Sequence, residues 1–205
     1  MSDKQVIILP PPVARGPLSL EETLAQRRTI RSFTSTPVSL QEVAQLLWAA
    51  YGVVDGRQGR KTAPSAGALY PLDCYLVAGE EGVGGIGTGV YRYLPADHVL
   101  ALHVPGDGRR AIARVSLSQQ WMVQAPILVV ITAEYERTTG KYRERGIRYV
   151  HLEAGHAAEN LVLQAGALGL GAAIVGAFDD EGVAEQLALP LGHKPLLIVP
   201  IGHAG

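Results

Sequence analysis

The densest chemistry in the chain lies in Arg27-Arg28-Thr29-Ile30-Arg31-Ser32-Phe33, where three guanidinium groups and two hydroxyls share one short run. Planar N–H forks with hydroxyl donors beside them suit a phosphate dianion, which accepts several charge-assisted hydrogen bonds at once. Arg27 and Arg31 are spaced i, i+4, so a continuing helix would put them on one face. A second reading needs no ligand, because arginines near a helix C-terminus are favoured by the macrodipole. Both fit the residues equally well. Gly82-Val83-Gly84-Gly85-Ile86-Gly87 spells G-x-G-x-x-G, the dinucleotide fingerprint. That turn works only where a helix follows and offers its N-terminus to a pyrophosphate. TGVYRYLP follows instead, rich in β-formers and stopped by proline, so the run reads as a glycine turn between two strands. His151 and His156 would lie about 140° apart around a helix and cannot converge with Glu153 on one ion. With no H-E-x-x-H and no G-x-S-x-G, neither a metal site nor a serine hydrolase is expected.

Caps and periodicity supply the elements that must position these residues. Ser19, with Glu21 and Glu22 behind it, opens a helix running to about Arg27 or Arg28. Ser39-Leu40-Gln41-Glu42 is a capping box for a second helix, with Val43, Leu46, Leu47 and Ala50 on one face and Gly52 at its end. A Gly-rich basic loop, DGRQGRKTAPSAGALYP, leads into strand-like runs DCYLVAG, GVYRYLP and HVLALHV. Two short helical pieces over 108–124 precede the apolar strand PILVVITAEY. A helical turn near 138–145 and a long helix from about Ile147 to Leu168 come next. AAIVGAF reads as a strand, 180–188 as a helix and PLLIVPIG as the last strand. Gly169-Leu170-Gly171 reads as the long helix's C-cap. Glu153, His156, Asn160 and Gln164 make a polar stripe along that helix, read first as a satisfied polar seam in a dimer core and only second as catalytic.

The 205 residues are 47% hydrophobic, enough for one sizeable core. A net charge of −1 with interleaved signs argues against nucleic acid. No apolar run approaches the ~18 residues of a membrane helix, and the N-terminus lacks a signal-peptide pattern. One cysteine, Cys74, permits no internal disulfide. A cytoplasmic protein is the expectation.

RRTIRSF resembles the opening signature of the FMN-dependent nitroreductase family, whose members contact the flavin with such a segment. APSAGALYP (63–71), HLEAGHAAENLVLQAGALGLG (151–171) and AAIVGAF (172–178) fit in the same order. The wording PSAGALYP and LEAGHAAENL is most similar to the azoline-dehydrogenase-like branch. The resemblance implies an α+β fold: a central, mostly antiparallel sheet flanked by helices, in an intertwined homodimer with two FMN sites at the interface. Residues 1–18 read as an arm on their own, a short strand-like VIIL followed by extended PPPVARGP, and the resemblance, over about 19–203, implies a flavin-binding domain at 19–205. Carried over by position, Arg27, Arg28 and Thr29 would hold the FMN phosphate, and Arg31 would sit by the flavin N1/C2 carbonyl. Pro64, Ser65, Ala66 and Gly67 match a segment that packs on the flavin from the partner chain. Val175 and Gly176 match a strand beside N5, where a glycine lets backbone approach closely.

The implied activity is ping-pong hydride transfer from NAD(P)H through FMN to a nitroaromatic, quinone or similar small acceptor. One alternative is oxidation of an azoline in a modified peptide; another is a flavin-binding scaffold without turnover. Azoline-oxidising relatives carry an active-site Lys-Tyr pair, which Lys141 and Tyr142 match, and a lysine of lowered pKa could serve as base. The competing reading is a solvated charge run, with Arg143, Glu144, Arg145 and Arg148 close by. Many relatives also place a basic residue after the last strand at the phosphate. Only His203 lies near that position here, which leaves Arg60 or Lys61 as candidate substitutes.

Overall fold

Two serine–glutamate boxes set where the first helices start in the computed structural model, which describes residues 5–55 and 59–205. Met1–Lys4 of the expected arm and Gly56–Gln58 of the basic loop lie outside the described residues. Ser19 Oγ accepts from the Glu22 N–H at 3.1 Å, and the Glu22 carboxylate accepts from the Ser19 N–H at 2.8 Å, opening α1 (Leu20–Gln26). Ser39 and Glu42 repeat the arrangement at α2 (Leu40–Tyr51). Gly52 ends α2 through close approach, since a Cβ there would run into Trp48.

The strands are β1 (Val6–Ile8), β2 (Val53–Asp55), β3 (Arg60–Lys61), β4 (Leu72–Ala78), β5 (Gly89–Leu94), β6 (Val99–Pro105), β7 (Ile127–Glu134), β8 (Gly171–Ala172) and β9 (His193–Gly202). Seven form one sheet in the order β1-β6-β5-β4-β7-β9-β8, every ladder antiparallel. Isolated parallel bridges at Thr29–Ala172 and Val38–Val83 make the pattern mixed at its margins. β2 and β3 form a separate hairpin inside the loop, which the sequence had not signalled.

The remaining helices are α3 (Arg109–Val115), α4 (Glu136–Tyr142), α5 (Arg145–Ala167) and α6 (Asp180–Gln186). Because side chains alternate along a strand, the buried central strands feed two cores. Cys74, Leu76, Val129 and Ile131 point to α2 and α5, packing with Leu46, Leu47, Ala157 and Leu161. Tyr75, Val77, Leu128 and Val130 point the other way, to Ile112 of α3 and Val183 of α6. Helices thus flank the sheet on both faces. Among the described residues, no helix is long and apolar enough to cross a membrane.

The glycine run 82–87 connects β4 to β5, antiparallel neighbours, and no helix follows it. The expected strand AAIVGAF is largely absent: only Gly171–Ala172 joins the sheet, with one further pairing at Val175. It lies at the sheet edge, where short strands leave little unpaired backbone to recruit another chain.

Candidate active site

α1 stops at Gln26, and Arg27, its C-cap, is already extended at φ −54°, ψ 122°. The helical face proposed to unite Arg27 with Arg31 does not form. Thr29 instead bridges to Ala172, and the Ile30 N–H donates to the Ala172 carbonyl at 2.9 Å. The segment lies along the free side of β8 because β8 offers unpaired backbone there. Arg27 and Arg28 line a cleft of ≈210 Å³ together with Gly166, Gly169, Gly171 and Ala204. Arg31 does not line it; its guanidinium carbon lies 5.8 Å from the Trp121 ring centroid.

The glycines of that cleft come from the end of α5. The Gly169 N–H donates to the Gly166 carbonyl at 3.0 Å and the Leu170 N–H to Ala165 at 2.8 Å, with Gly169 at φ +75°. This is a Schellman closure, which needs a left-handed residue and so favours glycine. Gly171 is required by contact, since a Cβ would strike the Ile30 side chain. Further on, Val175 exchanges both backbone hydrogen bonds with Ile198, at 2.8 and 2.9 Å. Gly176 follows at the exposed side, and the nearest atom to a Cβ there would be Leu197 Cδ2 at 3.8 Å. The chain's own packing therefore does not demand a glycine at 176.

Pro64, Ser65, Ala66 and Gly67 stand elsewhere, before a tight turn in which Gly67, Ala68 and Tyr70 have φ of 63°, 54° and 48°. Left-handed Ala and Tyr are costly and persist only where the surroundings hold them. Here the Tyr70 N–H donates to Ser65 Oγ at 2.8 Å, and Arg137 Nη1 donates to the Tyr70 carbonyl at 3.4 Å. Ser65 also hydrogen-bonds the Glu153 carboxylate, which accepts from Tyr51 Oη at 2.6 Å. Glu153 is 2% exposed. Burial raises its pKa above the ordinary carboxylate range, against the opposing pull of Ser65, Tyr51 and Lys61.

Lys61 lies over two rings, its Nζ 3.7 Å from the Tyr51 centroid and 5.1 Å from that of Tyr70. Burial lowers its pKa to about 8. Arg60 pairs with Asp55 at 3.1 Å. Neither basic residue lines the Arg27–Arg28 cleft of its own chain, so within one chain neither replaces a C-terminal phosphate contact.

Lys141 and Tyr142 meet the same turn. Tyr142 Oη and Lys141 Nζ lie 2.7 and 3.1 Å from where a Gly67 Cβ would stand. Three of the four stripe residues have partners within the chain: Glu153 bonds Tyr51 and Ser65, Gln164 accepts from Gln45, and Asn160 donates to the Thr62 carbonyl. His156 is exposed.

Two candidate half-sites result. One holds Arg27 and Arg28 in the cleft, with Thr29 beside them at its bridge to Ala172; the other holds residues 64–67 with Lys141 and Tyr142. Val175 and Gly176, three and four residues beyond Ala172, do not line the cleft. Glu153, bonded to Ser65, and Gly166, in the arginine cleft, are thirteen residues apart on α5, about 20 Å along its axis.

Residues 24–203 match the nitroreductase family. A Methanocaldococcus jannaschii protein named as a nitroreductase is 44% identical over 185 residues, covering 90% of this chain and 91% of the relative. The chain belongs to the nitroreductase family. A Ralstonia eutropha crystal structure titled as a nitroreductase superposes with a TM-score of 0.86 at 30% identity, covering all of this chain and 92% of that one. The Escherichia coli microcin B17-processing protein is 29% identical over 155 residues, 74% of this chain and 57% of that protein.

Oxidoreduction is thus the general chemistry of this nitroreductase-family chain. Sequence reasoning had missed the Tyr51–Glu153–Ser65 network, whose members are far apart along the chain. Gly169 and Gly171 were legible as a helix end but not, together with Gly166, as the wall of an arginine cleft.

Proposed function

We propose that the chain is an FMN-dependent NAD(P)H oxidoreductase that passes hydride to a nitroaromatic, quinone or similar small acceptor. When bound, FMN would supply reversible two-electron chemistry, and the protein would supply binding, orientation and charge. The arginine cleft carries this reading: two guanidinium groups facing a glycine-walled recess fit a phosphate, because small residues let its oxygens approach the donors. Arg27, Arg28 and Thr29 would hold that phosphate. Arg31 would set a fixed positive charge where the reduced ring gains negative charge. Val175 and Gly176 would offer backbone at the reacting edge, and the space beside Gly176 leaves room for a planar partner.

The site would be built across a homodimer. Residues 64–67 belong to the other half-site, which argues that a second copy brings them to the flavin. C2 dimers are the commonest closed assembly and present the same two halves twice.

A second reading, azoline oxidation in a modified peptide, is favoured by one observation: Lys141 and Tyr142 stand against Gly67. Lys141 would then act as base and Tyr142 would orient the ring. Lys141→Met and Tyr142→Phe should cost an azoline oxidase most of its rate and a quinone reductase little.

The deciding experiment is the visible spectrum of the purified protein, identification of the released flavin, and anaerobic addition of NADH or NADPH. A yellow protein that releases FMN and is bleached by the dinucleotide supports the proposal. A folded, colourless protein that FMN cannot reconstitute overturns it, and a flavoprotein that no reductant or acceptor turns over would be a scaffold.

A further inference from the structure

We propose that a cleft at the start of α5 binds an anionic group on the small planar substrate of this site, with Arg145 and Arg148 carrying the charge. The inference rests on the oxidoreductase reading for the word substrate, but not for the binding itself. Glu144, Arg145, Ile147, Arg148 and His151 line a cleft of ≈540 Å³. Residues 141–148 hold four cations, Lys141, Arg143, Arg145 and Arg148, against one carboxylate, Glu144. Among the described residues no ion pair joins any of those four to a carboxylate.

All four cations are exposed, and two of them, Lys141 directly and Arg145 through Tyr149 and Tyr142, are tied by contacts to the turn at 64–67. Tyr142 touches the Gly67 position and packs edge-on against Tyr149, with ring centroids 5.1 Å apart. The Arg145 guanidinium carbon lies 5.8 Å from the Tyr149 centroid. The route Gly67–Tyr142–Tyr149–Arg145 therefore leads from the turn to the cleft through packed rings. Ile147 is 42% exposed and adds apolar surface. His151 is already engaged, its Nε2 2.6 Å from Tyr135 Oη, which leaves the arginines as the charged donors.

Guanidinium groups beside aromatic and aliphatic surface suit a flat apolar body bearing a carboxylate, sulfonate or phosphate. Such a group could sit on the electron acceptor or be the phosphate of the nicotinamide dinucleotide. Both are anions held by the same donors.

The test begins with equilibrium binding, which needs no turnover. Naphthalene-2-sulfonate and uncharged 2-naphthol are titrated calorimetrically into the purified protein. The sulfonate should bind roughly tenfold tighter at about 20 mM salt, and the preference should shrink by about 500 mM as screening sets in. Arg145→Gln with Arg148→Gln should abolish the preference, and Arg148→Gln alone should reduce it. Arg114→Gln, on α3 across the sheet, should leave both binding and basal activity unchanged.

Rapid mixing then separates the two sources of the anion. If the double variant slows reduction by NADH but not by uncharged 1-benzyl-1,4-dihydronicotinamide, the dinucleotide phosphate is the ligand. If it lowers only the ratio of naphthoquinone-2-sulfonate to naphthoquinone turnover, the acceptor carries the anion. Equal binding of sulfonate and naphthol, or a preference that survives in the double variant, overturns the proposal. A colourless protein that still prefers the sulfonate would sink the oxidoreductase reading and leave the anion cleft standing.

Discussion

Lys61 keeps its ammonium against the Tyr51 and Tyr70 rings, and burial brings its pKa from 10.5 to about 8. Below about pH 8 both the folded and unfolded chains hold the proton, and this group gives no slope. Between about pH 8 and 10.5 the unfolded chain binds more protons, so the contribution to stability rises with pH. Urea unfolding at pH 7, 9 and 10 should show wild type gaining on Lys61→Met as pH increases; a constant difference would mean the ammonium is not desolvated. Gly176→Ala offers a complementary expectation. The chain has room for the methyl, so thermal stability should hardly move, while flavin content or turnover should fall by tenfold or more if a cofactor uses that space. A fully active alanine variant would remove Gly176 from the site. Arginines and hydroxyls mark RRTIRSF as a candidate half-site from sequence because their chemistry is local to seven residues. The Tyr51–Glu153 bond spans 102 positions, and no local pattern reports a contact of that kind.

Helix starts were the most legible elements, because a serine and a glutamate three residues apart satisfy each other's backbone partners. Ser39→Ala should cost about 1 kcal/mol, read as a lower denaturation midpoint with an unchanged slope. The β4–β5 connection separates two glycines of the same apparent motif. A Cβ at Gly82 would overlap the Pro126 carbonyl oxygen, whereas one at Gly84 meets nothing within 4 Å. Gly82→Ala should therefore unfold at a lower temperature, and Gly84→Ala should keep both its stability and its cofactor content. A colourless, folded Gly84→Ala protein would show that the run has a binding role after all. AAIVGAF misled because apolar composition reports burial: Ala172, Ala173 and Val175 are buried, yet only Ala172 belongs to a strand and Val175 makes one isolated bridge. The end of α1, read from sequence at about Arg27 or Arg28, agrees with the C-cap at Arg27, and beyond it pairing with Ala172 claims the backbone at Thr29 and Ile30.

At the scale of the whole molecule, the two half-sites make a prediction that neither residues nor elements make alone. Arg28→Glu and a disabling change at Gly67, such as Gly67→Trp, should each abolish activity as homodimers. Mixed by co-expression, they should recover about a quarter of wild-type activity, because half the dimers are hybrids and one of the two sites in each is intact. Sites confined to single chains would recover nothing. The antiparallel ladders and flanking helices agree with the fold class that the resemblance implied, whereas strand runs and helix caps, being local signals, marked elements and not their order. How distant loops meet is set by packing, which no local pattern reports. The 23 residues of α5 span about 34 Å and stand between the Gly67 turn and the arginine cleft. The helix thus acts as a gauge block. One inserted residue would turn one end against the other by about 100°, so length changes inside it should be intolerable. Divergence that alters selectivity should instead gather in the loops at its two ends, where the gauge is not disturbed.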